Sequence, residues 1–100
     1  MTKPASTVRF RAVVAGRVQG VGFRIACARV AQGLGLAGWV ANARDGSVLI
    51  EAQGPAEAVE RLMGWLHVGP IGARVTAVDV NWTEPDLAAV SFEIRSLRSR

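Results

Sequence analysis

The sequence predicts a single α+β domain, a split βαβ plait in which a mostly antiparallel sheet carries two helices on one face. Two observations support it. Five short apolar stretches have the character of strands, and two longer ones repeat with the period of a helix. Their order contains strand–helix–strand twice. The chain has 100 residues, 50% hydrophobic and 20% charged, which suits one modest core.

The first three elements are predicted from local periodicity. A strand is expected from Val8 to a break at Gly16, because every second residue is apolar. A loop with three glycines, residues 16–22, follows. A helix that Gly33 and Gly35 can end comes next, since its apolar residues fall on one helical face: Phe23, Ala26, Cys27, Val30, Ala31 and Leu34.

The second half of the chain repeats the pattern. Asp45-Gly46 is a strong hairpin signal, because such a turn needs positive φ. Proline suits the first turn of a helix, so Gly54-Pro55 is expected to open the second one. Its buried stripe is predicted at Val59, Leu62, Met63 and Leu66. The remaining predicted elements are strands at 36–41, 47–53, 73–82 and 90–94, so that a domain at 8–95 lies between an N-terminal extension, 1–7, and a polar tail, 96–100.

Charge is unevenly distributed along the chain. Residues 1–44 contain no Asp or Glu, and all eight acids lie from Asp45 onward. A basic region attracts anions, so the charge distribution is compatible with a small phosphate compound or a nucleic acid as partner, or with a face that is simply solvated.

No apolar run approaches the roughly 20 residues of a membrane span, and the first ten residues lack the apolar core of a signal peptide. Cys27 is the only cysteine, which fits packing in the core and a reducing cytoplasm.

The glycine-rich loop and the helix after it could form an anion site. Glycines allow several backbone amides to converge on one point, and a helix start adds free N–H groups and positive dipole charge. Arg24 lies in the first helical turn, where a cation opposes the dipole unless an anion is bound. The alternatives are a loop that only turns a corner and a surface arginine paired with an acid elsewhere. No Gly-Lys-Ser/Thr follows the glycines, so the loop is not a Walker A motif.

Two segments carry a family resemblance. Gly16–Arg24, GRVQGVGFR, resembles the first signature of the acylphosphatase family. Gly38–Asn42, GWVAN, followed by Asp45–Val48, DGSV, resembles its second. The similarity covers about residues 8–95, and the chain departs from the family pattern at Ala41, where relatives often carry Lys or Arg, and at Ile71, where a second proline is common.

The resemblance implies a ferredoxin-like fold with a fifth strand and the hydrolysis of acyl phosphates to a carboxylate and inorganic phosphate. Arg24 then matches the phosphate-binding arginine, and Asn42 the asparagine that orients the attacking water. The implied partners are a small acyl phosphate and, in the loop, inorganic phosphate or sulfate, with no metal or other cofactor, no nucleic acid, no membrane and a monomeric chain. The implied phosphate cradle is formed by the amides of Arg17, Val18, Gln19, Gly20, Val21 and Gly22.

Other interpretations stay open on the sequence alone. Asn42 precedes a hairpin, where Asn is common as a turn residue. The plait is also the scaffold of RNA-recognition domains, although the central strands offer only Phe10 as an aromatic for base stacking. A catalytically silent anion-binding or protein-interaction module is the third possibility. His67, the only histidine, lies near the end of the second helix and is interpreted as structural.

Overall fold

Residues 6–96 are described by a computed structural model of the chain. The predicted extension, 1–7, and tail, 96–100, fall mostly outside them. The seven predicted elements are all present and in the predicted order. Their bounds are β1 (Thr7–Arg17), α1 (Phe23–Gly33), β2 (Ala37–Asn42), β3 (Val48–Pro55), α2 (Ala56–Leu66), β4 (Arg74–Thr83) and β5 (Phe92–Ile94).

The strands form one mixed sheet in the order β4-β1-β3-β2-β5. β1 lies between β3 and β4 and runs antiparallel to both, and β2 runs antiparallel to β3. β5 is added at the edge, parallel to β2. Both helices pack on the same sheet face, so the predicted ferredoxin-like α+β plait with a fifth strand is confirmed.

The core lies between that face and the two helices. Phe10, Ala12 and Val14 alternate along β1 toward the helices, and all three are fully buried. Val59, Leu62 and Leu66 are the buried residues of α2, while the predicted Met63 is half-buried and packs against them. Burying one large aliphatic or aromatic side chain contributes about 1.5–3 kcal/mol. The buried residues of α1 are Phe23, Cys27, Ala28 and Ala31.

The structure corrects two predicted strand ends. β1 does not stop at Gly16: it continues through Arg17 beside β4, past a bulge between Ala15 and Gly16. The fifth strand does not begin at Val90, whose side chain is 89% exposed. Residues 84–90 instead form a loop outside the strand, and the Gln53 side chain holds the main chain of this loop: it donates to the Asp86 carbonyl at 2.9 Å and accepts from the Asp86 amide at 2.8 Å. The chain meets the edge of the sheet at Ser91, whose carbonyl accepts from the Gly38 amide at 2.9 Å.

The helix-free face carries a buried ion pair. The Arg9 guanidinium donates to Glu51 at 2.8 Å and to Gln53 at 2.8 Å, and Arg9 is only 6% exposed. The same Glu51 carboxylate also pairs with the exposed Arg11. One acid from the second half of the chain therefore pairs with two cations from the first half. Across residues 6–96, neither helix has the length and apolar character needed to cross a bilayer.

Candidate active site

A small cavity opens where the first loop meets the first helix. Its volume is about 110 Å³. Pockets for whole drug-sized ligands are roughly 300–1,000 Å³, so this one suits a group of few atoms. Two segments far apart in sequence form it, the loop with the start of α1 and the end of β2. Its lining residues are Val18, Gly20, Gly22, Phe23, Arg24, Ile25 and Asn42.

The loop presents unused backbone donors. Gly20 and Gly22 have φ of 77° and 78°, a left-handed conformation that costs other L-residues about 1–2 kcal/mol. No amide from Val18 to Gly22 donates a well-aligned hydrogen bond to an acceptor within residues 6–96. Successive amides in this kind of turn form an anion-binding concavity, and the N-terminus of α1 adds its dipole. The loop therefore presents several donor groups of the kind that an anion needs.

Arg24 lines the cavity and is half-buried. Its guanidinium makes one long hydrogen bond, 3.5 Å from Nη1 to the Arg95 carbonyl oxygen. It forms no salt bridge with an acid of the described segment. The alternative of a surface arginine paired with an acid elsewhere thus finds no support, and the unfavourable position of this cation at the helix start stays uncompensated by protein charge.

The start of α1 is fixed from behind by an aromatic contact. Phe23 is 2% exposed, and its ring lies 5.2 Å from that of Trp65 on α2. Gly69 also packs against Phe23, where an added Cβ would come within 2.9 Å of the ring. Phe23 precedes Arg24 directly, so this packing orients the first helical turn toward the cavity.

Asn42 reaches the same cavity from the sheet. It is the last residue of β2 and is half-buried. The turn after it is closed by the Ala43 amide, which donates to the Ser47 carbonyl at 2.9 Å, and shaped by Asp45, whose carboxylate accepts from the Ser47 amide at 2.9 Å. The predicted hairpin at Asp45-Gly46 therefore also helps to fix the position of Asn42 at the end of β2.

The predicted site residues divide into two groups. Val18, Gly20, Gly22, Arg24 and Asn42 line the cavity. The others do not: Arg17 is exposed at the end of β1, Val21 is half-buried against the core, and the Gln19 side chain points to the turn after β2.

Ile25 was missed from the sequence. It lines the cavity and is 55% exposed, and its position off the apolar stripe of the helix was the available signal.

The alternative sites for ligand binding, base stacking or metal coordination have less support among the described residues. A larger cavity of about 320 Å³ lies on the helix-free face, but its Arg9, Glu51, Glu93 and Arg95 side chains are already paired with one another. Phe10, the aromatic on which an RNA-recognition surface would depend, is fully buried under the helices. Among residues 6–96 no cluster of three His, Cys, Asp or Glu side chains is arranged to hold a metal.

The five-stranded sheet covered by two helices defines a ferredoxin-like α+β protein. The small pocket at its first loop has room for a group about as large as an inorganic anion. The model of the Acylphosphatase family matches residues 10–94. The chain belongs to the acylphosphatase family. This match confirms the family resemblance that the two sequence signatures predicted. It also confirms the prediction that the chain is an enzyme of this family.

Relatives agree along nearly the whole chain. An acylphosphatase of Anaeromyxobacter dehalogenans is 48% identical over 91 residues, which are 91% of this chain and 98% of the relative. One of Thermococcus kodakarensis is 52% identical over 79 residues, 79% of this chain and 87% of the relative. The crystal structure of acylphosphatase from Bacillus subtilis superposes with a TM-score of 0.85 at 36% identity, covering 88% of this chain and 98% of that one.

Proposed function

We propose that this chain hydrolyses acyl phosphates to a carboxylate and inorganic phosphate without a metal ion. The observation that carries the proposal is the convergence of free loop amides, one asparagine and one guanidinium, which has no acidic partner among residues 6–96, on a single small cavity. Amides and the guanidinium match a phosphate group, and the asparagine matches a water molecule beside it. The names of the relatives point to the same substrate class.

The phosphate is held by positive charge that the protein itself supplies. The amides of residues 18–22, of which Val18, Gly20 and Gly22 line the cavity, surround its oxygens. The planar fork of Arg24 binds two of these oxygens more effectively than an ammonium would. Negative charge at this point also relieves the unfavourable position of Arg24 in the helix dipole. These preorganised donors take the role that a divalent cation has in many other phosphoryl transfers.

The nucleophile is a water molecule oriented by Asn42. The side-chain amide offers both an acceptor and a donor, so it fixes one water in line with the departing group. Water oxygen bonds to phosphorus as the bond from phosphorus to the acyl oxygen breaks. The bonding pair leaves with the carboxylate, and the water proton passes to a phosphate oxygen.

The substrate class follows from what the cavity lacks. No His, Asp, Glu or Lys side chain lines it in the described residues, so no general acid is available to a poor leaving group. A carboxylate leaves without a proton, because its acid has a pKa of about 4. An alcohol needs protonation. Acyl phosphates are therefore expected to be substrates, and phosphate monoesters are expected to react poorly.

The remaining expectations concern the setting of the reaction. The proposed working unit is a monomer, because the loop, Arg24 and Asn42 that the mechanism needs are all supplied by a single chain. The single cysteine is buried, and its burial raises the pKa of the Cys27 thiol to about 12, which supports a packing role and is compatible with a reducing cytoplasm.

The test is release of inorganic phosphate from benzoyl phosphate, with phenyl phosphate as the matched monoester. We expect turnover of benzoyl phosphate that is unchanged in about 5 mM EDTA, and little turnover of phenyl phosphate. Inorganic phosphate should inhibit competitively. Activity that disappears on chelation would contradict the metal-independent mechanism, and equal rates on both compounds would contradict the leaving-group argument.

A further inference from the structure

The pairing between β1 and β3 ends before the two strands reach the cavity. β1 pairs with β3 only as far as Val14 opposite Val48. From Ala15 onward β1 pairs with β4 alone. The loop at 18–22 and the turn at 43–47, which directly follows the site residue Asn42, therefore leave the sheet as separate segments.

The Gln19 side chain joins these two segments. Its Nε2 donates to the Ala43 carbonyl at 2.8 Å and to the Ser47 carbonyl at 2.9 Å. Both acceptor residues are buried, at 1% and 6% exposure. The same two carbonyls close the turn, since they also accept from the amides of Gly46 at 3.3 Å and Ala43 at 2.9 Å. Gln19 thus adds a second donor to each.

A primary amide of this length satisfies that geometry. Its nitrogen carries two N–H donors, one for each carbonyl oxygen, and it places no charge among the buried main-chain groups of the turn. A carboxylate of the same shape would face the carbonyls with acceptors, and a thioether would offer no donor. The choice of glutamine therefore has a chemical reason other than filling space.

We propose that Gln19 is a positioning residue, which holds Asn42 at a fixed distance from the phosphate-binding amides. The Ala43 carbonyl that it binds belongs to the residue directly after Asn42, and its own backbone belongs to the loop. The pairing therefore sets the separation between the attacking water and the phosphorus atom. This inference rests on the proposed hydrolase function and adds to it the means by which the two halves of the site are aligned.

The first test is Gln19→Met, assayed with benzoyl phosphate. We expect kcat to fall about 10- to 100-fold, because a displacement of roughly 1 Å in a reacting group costs that much. KM and the inhibition constant of inorganic phosphate should stay within about threefold, since the loop amides and Arg24 are retained. Gln32→Met is the matched control: Gln32 Nε2 donates to the Phe92 carbonyl at 3.2 Å, away from the cavity. The Gln32→Met variant removes a similar hydrogen bond and should leave kcat within about twofold of the wild-type value.

The second test is a double-mutant cycle with Asn42→Ala. If Gln19 acts through Asn42, then Gln19→Met should change kcat less than about threefold once Asn42 has been removed. A full 10- to 100-fold effect in the Asn42→Ala background would overturn the proposal, because it would mean that Gln19 acts by another route.

Circular dichroism checks that each variant is folded at the assay temperature. Should Gln19→Met fail to fold, Gln19→Asn replaces it, since this amide is one methylene too short to reach both carbonyls and the same loss of kcat is expected. A folded variant with kcat within twofold of wild type overturns the inference, and so does a rise in the phosphate inhibition constant with kcat unchanged. A wild-type chain without turnover overturns the proposed function and this inference together, whereas an active wild type with an insensitive Gln19 overturns the inference alone.

Discussion

Replacing Arg24 by glutamine should affect stability and ligand binding in opposite directions. The side chain is half-buried in the first turn of α1 and has no acidic partner in the described part of the chain. Removing a cation from a helix N-terminus gains about 0.3–1 kcal/mol. For a domain of this size the gain corresponds to a thermal midpoint about 1–8 °C higher in phosphate-free buffer.

Phosphate should reverse that order. At a concentration 100 times its dissociation constant, phosphate stabilises the wild type by about 2.7 kcal/mol. Losing the charged hydrogen bonds of Arg24 costs about 1.5–3 kcal/mol of binding, or about 10- to 150-fold in affinity. The same phosphate concentration then stabilises Arg24→Gln by only about 0.3–1.3 kcal/mol. Turnover of benzoyl phosphate should fall about 10²- to 10³-fold, as is typical when one preorganised donor is lost.

The assay is differential scanning fluorimetry of both proteins across a phosphate titration, at constant ionic strength. The two midpoint curves are expected to cross, with the variant more stable without phosphate and less stable with it. Arg29→Gln, on an exposed position of the same helix, controls for removing a positive charge and should shift neither curve. A variant that is less stable in phosphate-free buffer and keeps the whole phosphate-dependent shift would refute the argument, because Arg24 would then be a structural residue.

Three further predictions concern other parts of the molecule. Asn42→Ala should lower kcat strongly and leave phosphate inhibition within about threefold; a collapse of inhibition would make Asn42 a binding residue. Glu51→Gln leaves Arg9, which is 6% exposed, without its counter-charge and should lower the free energy of unfolding in urea by about 3–5 kcal/mol. Arg11→Gln removes the exposed ion pair with the same Glu51 and should lower it by less than about 1 kcal/mol. Equal losses of unfolding free energy in the two variants would contradict this difference. Burial raises the pKa of Cys27 to about 12, so the thiolate is favoured only as pH rises toward that value, and native protein at pH 8 should not react with Ellman's reagent until it unfolds; rapid labelling would show that the thiol is accessible.

Local chemistry predicted most of the fold. The alternation of Phe10, Ala12 and Val14 and the helical spacing of Val59, Leu62 and Leu66 each encode a buried face, so strands and helices could be assigned without knowing their neighbours. The predicted ends were less accurate where long-range contacts decide them. Val90 continues an alternating pattern, but Gln53 holds the Asp86 main chain in a loop, and the chain meets the edge of the sheet only at Ser91.

The candidate site divides in the same way. The sequence by itself determined its chemical parts, because glycines that adopt positive φ, a cation at a helix start and an asparagine at a hairpin are local features. Only the tertiary structure decided that Arg24 and Asn42 face one cavity, and that Gln19 joins the loop to the turn across 24 and 28 residues of chain. The physical reason is that periodicity specifies which face of an element is buried, whereas the meeting of two element ends depends on strand order and register in the assembled sheet.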